Sequence, residues 1–539
     1  MAGPEGLDPR AWLRAAGRML GRLPQATVRL GRLPDAPAVP VRDAWAGDPQ
    51  VGARLLKGEF PVEGTARPLE PALWGGADAS PVWAAAAHGF LWLRELRAVG
   101  SDAARMRARA LAQAWIAGAG RNVPAASRAD VRGNRLSALL CHWDFLAESA
   151  EEQFRAAVMA QVVEDARALD EALPAETMDA RAFAALRGLA VAGVALPGAE
   201  AYLARSLRFL EQEVARQVLA DGGHIERSPA ALLAVLQDLI ACRHLVSAVR
   251  QPVPDWLSGA IERALPALAA LRHGDGGPAL FNGTREDLSG AMAQAFAQGP
   301  ARARAAQRLS EMGFQRLAAG RTVLVIDTGA PAPKGLDRLA HAGTLAFELS
   351  VGRDRVIVNC GAAPAAGQQW RDALRATAAH STLVIADVNS SELKEGGLGR
   401  RPEAVSVQRH EANGAHWLDA SHDGWRRPFG ATHRRRLYLG ESGEDLRGED
   451  SIEAATPQPF AIRFHLHPDV DASLQQDGAG VLLRTPSGTG WVFRAEGARL
   501  ALEESIYAGG EPRRSEQVVL SGSPSDGPCL VKWAISKLG

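Results

Sequence analysis

Apolar residues recur every three to four positions from about residue 82 to 296, as in Trp83-Ala87-Phe90-Leu91, Leu136-Leu139-Leu140-Phe145 and Leu203-Leu207-Leu210-Val214. That spacing gathers them into one stripe of a helix. The segments come about every 20 to 25 residues, separated by breakers such as Gly100-Ser101-Asp102, Leu196-Pro197-Gly198 and Gly222-Gly223. This rhythm predicts stacked helical hairpins. From Gly313 onward the pattern becomes short and alternating or β-branched, as in Thr322-Val323-Leu324-Val325-Ile326, Arg355-Val356-Ile357-Val358, Ser381-Thr382-Leu383-Val384-Ile385 and Gln517-Val518-Val519-Leu520. Ten or more such strands with Gly, Asn and Asp turns predict a large antiparallel β-sandwich or a pair of sheets. The changeover is expected at residues 297–312, giving three parts: 1–80, 81–300 and 313–539. In the first part, the Pro-rich stretch from Leu33 to Pro40 and onward to Pro71 reads as an irregular strap over the helical body.

Composition narrows the class. A chain of 539 residues with 47% apolar positions can bury large cores in two to four domains. Its 61 basic and 61 acidic residues cancel, which argues against a protein that coats nucleic acid or a charged membrane surface. Cys141, Cys242, Cys360 and Cys529 are scattered without a Cys-x-x-Cys pair and read as small buried hydrophobes. No stretch of 18 uninterrupted apolar residues is present, the nearest approach being Phe183 to Leu196, which Arg187 interrupts. Arg alternates with apolar residues over the first 24 positions, the pattern of an amphipathic helix rather than a standard signal peptide.

Three clusters carry candidate chemistry. Asp221-Gly222-Gly223-His224-Ile225-Glu226-Arg227-Ser228-Pro229 interrupts two strong helices and gathers an imidazole, a carboxylate and a guanidinium within four residues. Its glycines allow a tight loop, and Ser228-Pro229 suits the start of the next helix. Asn134 and Arg135 precede His142 by eight and seven residues, which on a helix shares a face. His273-Gly274-Asp275-Gly276-Gly277 followed by Phe281-Asn282-Gly283 is a polar, Gly-rich loop closing the helical half. In the β half, the alternation in His465-Leu466-His467 turns both rings to one strand face, as a metal pair or a polar sheet surface would.

These residues resemble the heparinase II/III-like family of polysaccharide lyases. Leu339-Ala340-His341-Ala342-Gly343-Thr344-Leu345-Ala346-Phe347-Glu348-Leu349 is similar to the family's His-x-His-x-Asp run and the Leu-Ser-Phe-Glu-Leu after it. Asn359-Cys360-Gly361 stands where the family has Asp-x-Gly, and Arg375 to Thr382 resembles its Ser-Thr-x-x-His-Asn-Thr. The 221–229 loop is similar to the family's Asp-Gly-Gly loop. The resemblance implies an incomplete α/α toroid followed by an antiparallel β-sandwich, and an acidic polysaccharide as substrate. It also implies metal positions at His341, Asn359 and His380, zinc being the one cofactor it brings in. Two departures stand out. The family's catalytic Tyr after Ser-Pro is replaced by Ala230, Ala231 and Leu232, and the metal-binding Asp is Asn359. A neutral amide is a poor zinc ligand.

Lyases of this kind cleave beside a uronic acid by β-elimination. The carboxylate must be neutralised, a base must take the adjacent proton, and an acid must protonate the leaving oxygen. Arg227, Arg135 and Asn134 are the candidate neutralisers, since a guanidinium matches a carboxylate bidentately. His224 is the candidate base or acid, with Glu226 to tune it, His142 in reserve, and His273 and Asp275 as substrate contacts. Two other readings belong to different classes. One is a degenerate family member that binds an acidic glycan or acts as a scaffold; the other is a glycoside hydrolase pairing Glu226 with Asp275.

Overall fold

The computed structural model describes residues 33–538, apart from 71–73, 75–78, 120–122, 174–178, 300–303, 364–365, 476–477 and 524–528. The amphipathic helix expected over the first 24 positions lies outside the described residues. Helices dominate the first half, and after Ser289–Ala297 strands take over from Arg308, with short helices at Gln368–Arg375 and Arg426–Phe429 between them. The compact units divide elsewhere. The described residues of the first fall within Met1–Phe60, Arg67–Val214 and Asp238–Leu257, and the second takes Pro61–Ala66, Ala215–Gln237 and Ser258 onward.

In the first unit, the helix Ala129–Cys141 packs on Arg181–Ala195. A Cβ built on Gly188 would stand 2.3 Å from the Gly133 Cα, so the two backbones touch at paired glycines and any side chain there would force them apart. The apolar stripe Leu136, Leu139 and Leu140 is fully buried. The expected strap is present. Ala38 donates to the Ala195 carbonyl at 2.8 Å, Val41 and Trp45 are buried, and Asp48 caps the helix Pro49–Leu56 by accepting from the Gln50 amide at 2.7 Å. Among the described residues one helix, Pro229–Ala248, is long and apolar enough to cross a membrane by length and composition, and most of its apolar stretch is buried inside the protein.

Among its described residues the second unit holds two large antiparallel sheets, beside the small ladder of Leu393–Lys394 with Gly397–Leu398. One has eight strands in the order Val405–Ala412, Ala415–Trp425, Ala431–Leu439, Asp445–Glu453, Cys529–Lys537, Gly490–Glu496, Gly480–Arg484 and Asp471–Leu474. The other has nine, among them Arg499–Tyr507, Arg513–Gly522, Phe460–Leu466, Asp354–Val358, Phe347–Val351 and Thr322–Asp327. One core joins them, drawing Leu324, Phe347 and Phe464 from the nine strands and Leu418, Leu437 and Phe493 from the eight. The Trp533 ring stacks on Phe347, with centroids 5.7 Å apart and planes 2° from parallel. A fully buried polar knot sits beside it. Asp450 accepts from Arg435 Nε at 2.7 Å, His433 Nε2 at 2.7 Å and Trp533 Nε1 at 2.8 Å. Arg435 also donates to the carbonyls of Leu345 and Ser381, so the charges are paired and their remaining hydrogens satisfied, as burial demands.

Candidate functional site

The 221–229 loop forms as a hydrogen-bonded turn inside the second unit. Asp221 accepts from the amides of Gly223 at 2.9 Å, Glu311 at 2.8 Å and Met312 at 2.9 Å. Gly222 has φ +81°, and a Cβ there would collide with the Arg263 carbonyl at 1.9 Å. The candidate catalytic groups point inward. His224 is fully buried, with Nε2 3.1 Å from Gln217 Oε1 and Nδ1 accepting from the Glu226 amide at 3.3 Å. An amide can only donate, so the ring proton resides on Nε2 and the imidazole is neutral. Glu226 is buried as well.

Arg227, expected to neutralise a substrate carboxylate, is instead held by the protein's own acceptors. Its guanidinium donates to Asp327 Oδ1 at 2.5 Å, to the carbonyls of Met312 at 2.6 Å, Gly313 at 3.0 Å and Gly329 at 3.2 Å, and lies 5.1 Å from the Phe314 ring centre. A carboxylate ligand would have to displace Asp327. Arg227 is therefore a buried structural cation. Burial raises the Asp327 carboxyl above its ordinary value even though Arg227 opposes this.

The three candidate metal positions are close-packed with protein donors. His380 Nδ1 lies 2.7 Å from the Ala376 carbonyl and must donate to it. Its Nε2 is then a lone pair, 3.0 Å from His341 Nδ1, while His341 Nε2 accepts from the Gly283 amide at 3.0 Å. All four ring nitrogens are engaged by neutral rings. Burial drives both pKa values down, His380 to about 4 and His341 well below the imidazole range. Asn359 Oδ1 accepts from the Ser381 amide at 3.0 Å, and its Nδ2 is buried without a partner. Two hydrogen-bonded imidazoles and an amide, with no anion among them, do not fit a zinc ion. Among the described residues no group of three or more His, Cys, Asp or Glu is arranged to hold one. His465 and His467 do not pair either: His465 contacts Ser505 and the Ala378 carbonyl, and His467 faces Glu286 and Asp469.

His273 and Asp275 are also structural. His273 is buried between Glu348 Oε2 at 2.8 Å and Ser350 Oγ at 2.9 Å, and Asp275 pairs with Arg355 at 2.7 Å. The loop behind them does link the two motifs. Asn282 donates to the Arg227 carbonyl at 2.8 Å and accepts from the His341 amide at 3.0 Å. The 221–229 loop and the His341 segment are thus joined by a buried amide, and neither lines a cavity described below.

In the helical unit, Asn134 and His142 line one small polar cavity of about 40 Å³ with Arg94, Arg187 and Asp43. Arg135 does not join them. It is buried in a two-pronged pair with Asp165, at 2.8 and 2.6 Å, and lies 4.3 Å from the Trp115 ring centre. The seven-residue spacing misleads because the helix ends at Cys141, and His142 leaves helical geometry with φ −116° and ψ 23°. Asp43, on the strap, was not foreseen. Its Oδ2 sits 2.6 Å from Arg94 Nε and 3.3 Å from His142 Nε2. Burial would raise its pKa, but the contacts with His142 and Arg94 outweigh this and hold it well below the usual carboxylate range. The strap thus places its own carboxylate where an acidic ligand of this cavity would bind. Only the Pro-rich composition hinted at the strap, and nothing local marked Asp43 as its anchor.

A larger cavity, of about 710 Å³, lies on the eight-stranded sheet and includes Trp417, Tyr438, Arg447, Arg494 and Lys532. None of these is among the site residues expected from the sequence, although alternation in Trp417-Leu418-Asp419 and Arg436-Leu437-Tyr438 marks the outward positions.

Residues 301–534 match the family described as Heparinase II/III-like, C-terminal. The chain is 32% identical over 523 residues to FtsZ-localized protein C of Caulobacter vibrioides (strain NA1000 / CB15N), covering 91% of this chain and 88% of that protein. Among solved structures, a crystal structure of heparinase III aligns over 98% of this chain and 89% of its own, with TM-score 0.75 and 14% identity. The heparan sulfate lyase HepC of Pedobacter heparinus aligns over 98% and 87%, with TM-score 0.60 and 15% identity. At such identities the likeness concerns the fold alone, and it is the expected α/α toroid with an antiparallel β-sandwich, the architecture of polysaccharide lyases. By family match and near full-length kinship together, this chain belongs to the heparinase II/III-like family.

Proposed function

We propose that this protein uses the lyase fold as a scaffold that recognises an acidic glycan at sites occupied by FtsZ, its elimination machinery having degenerated. One observation carries the reading: the loop groups that would neutralise and deprotonate a uronate substrate, Arg227 and His224, are buried and bonded to the protein itself. Arg227 holds Asp327 and three carbonyls, and both nitrogens of His224 are engaged. No phenol compensates. Tyr202 and Tyr507 are buried, and burial raises the pKa of each; Tyr438 lies on the eight-stranded sheet. The link to FtsZ is supported by the Caulobacter relative, whose name places it with FtsZ and whose length this chain spans almost entirely.

Elimination creates a carbon–carbon double bond conjugated to the uronate carboxylate, which absorbs in the ultraviolet. Purified protein incubated with a panel of uronate polymers is expected to produce no such absorbance, while a fluorescent fusion coincides with FtsZ in cells. An absorbance rise that His224→Ala reduces about 100-fold, the scale of positioned acid–base catalysis, overturns this reading in favour of an active lyase.

A further inference from the structure

Strand register turns the eight-stranded sheet's outward positions into two rows. Residues directly opposite one another across six neighbouring strands are His410, Trp417, Tyr438, Arg447, Ala534 and Arg494. The adjacent row is Gln408, Asp419, Arg436, Glu449, Lys532 and Glu496. Both rows line the 710 Å³ cavity. Its floor is low at Ala534, which carries only a methyl group between Arg447 and Arg494, whereas Gly448 and Ala495 belong to the alternate row that faces the core, where a Cβ on Gly448 would stand 2.1 Å from the Trp533 ring. Five steps between strands give the rows a length of about 24 Å.

The first row is a continuous platform. His410 and Trp417 have ring centres 5.6 Å apart, Trp417 and Tyr438 5.2 Å, and the Arg447 guanidinium lies 5.7 Å from the Tyr438 ring centre. Trp417 is 40% exposed, although large apolar rings are ordinarily covered. Charge in the second row is largely internal: Asp419 pairs with Arg434 and Arg436, and Arg436 with Glu449 at 2.6 Å. Arg447 pairs with Asp445 at 2.7 Å, while Arg494 and Lys532 make no ion pair among the described residues, which leaves two unpaired cations beside the aromatic platform against one unpaired carboxylate, Glu496.

We propose that this groove binds an acidic saccharide chain laid across the strands, an inference that rests on the scaffold reading for its ligand class and adds a second surface outside the toroid. Sugar ring faces stack on Trp417 and Tyr438, and carboxylates or sulfates pair with Arg494 and Lys532. Sugar hydroxyls donate to Glu449 and Glu496. A sheet face offers no free backbone N–H or C=O, because the ladder engages both, so an extended peptide finds none of the main-chain partners that a sheet edge provides. A phosphodiester chain carries a charge at every step and would meet the carboxylates of the second row.

Calorimetric titration of the full chain tests this with four probes: oligouronate from alginate, dextran, poly-L-glutamate and oligothymidylate. Oligouronate is expected to bind, with dextran at least tenfold weaker. Trp417→Ala and Arg494→Glu should each weaken oligouronate binding tenfold or more without shifting the melting temperature, while Leu474→Ser, on the far strand of the same sheet, binds as the parent does. Unchanged affinity in both groove variants overturns the assignment. So does preferential binding of polyglutamate or oligothymidylate that is lost on Trp417→Ala, which would make the groove a protein or nucleic-acid surface. These outcomes are separate from those of the scaffold reading, which fails by ultraviolet-absorbing product whether or not the groove binds.

Discussion

Replacing Arg227 by Ala distinguishes a structural cation from a substrate contact. The change removes four hydrogen-bonded partners at once: Asp327 and the carbonyls of Met312, Gly313 and Gly329. Breaking a buried ion pair from one side costs about 3–5 kcal/mol because the other charge stays behind. Each orphaned carbonyl would add up to about 1 kcal/mol where water cannot reach it. One process limits the loss: the Asp327 carboxyl, already raised by burial, takes up a proton once Arg227 is gone. The expected net cost is about 4 kcal/mol, read as a lower urea midpoint for the β-rich unit followed by circular dichroism. The pair Arg227→Met with Asp327→Leu should recover most of it, since an apolar pair of similar volume leaves no buried charge. A single Arg227→Ala within about 0.5 kcal/mol of the parent, typical of surface substitutions, refutes the structural assignment; loss of glycan binding at that unchanged stability would return Arg227 to the substrate.

Further outcomes follow from the same geometry. Burial lowers the pKa of His380 to about 4 and of His465 to about 3, so the unfolded chain takes up protons that the folded one refuses; melting temperature should be flat above pH 6.5 and fall steadily toward pH 4, and a flat profile would contradict their neutral burial. Glu286, held down to about 2 despite burial by the His467 ring beside it and a hydrogen bond from Tyr507, contributes stability that is present above its ordinary pKa of 4.5 and lost as pH falls toward 2; Glu286→Gln should flatten that acid limb. Elemental analysis of the purified protein should give well under one zinc per chain, a one-to-one content being evidence against the tautomers assigned to His341 and His380. Asp43→Asn should destabilise the helical unit by about 1.5–3 kcal/mol, the range for hydrogen bonds to charged groups, and Arg94→Met with Asp43→Leu should restore part of it.

Periodicity alone determined the kinds of element and where they change, because the spacing of apolar residues over a few neighbours decides which backbone buries them. The helices through Ala297 and the strands from Arg308 follow that signal. So does the 221–229 turn, where Gly222 must take a left-handed φ to pass the Arg263 carbonyl. Motif order also carried the family. What it could not carry was the destination of each polar side chain. Arg227 meets Asp327 at a separation of 100 residues, His273 meets Glu348 at 75, and His341 meets His380 at 39. An imidazole or guanidinium in a loop looks the same in sequence whether it faces a ligand or a partner brought in by the sheet. The His410 to Arg494 row is an extreme case, assembled from six strands spread over more than a hundred residues. Local pattern governs backbone form because its causes lie within one or two turns. Side-chain environment belongs to tertiary structure, since burial, charge pairing and register are all settled by residues far away in the chain.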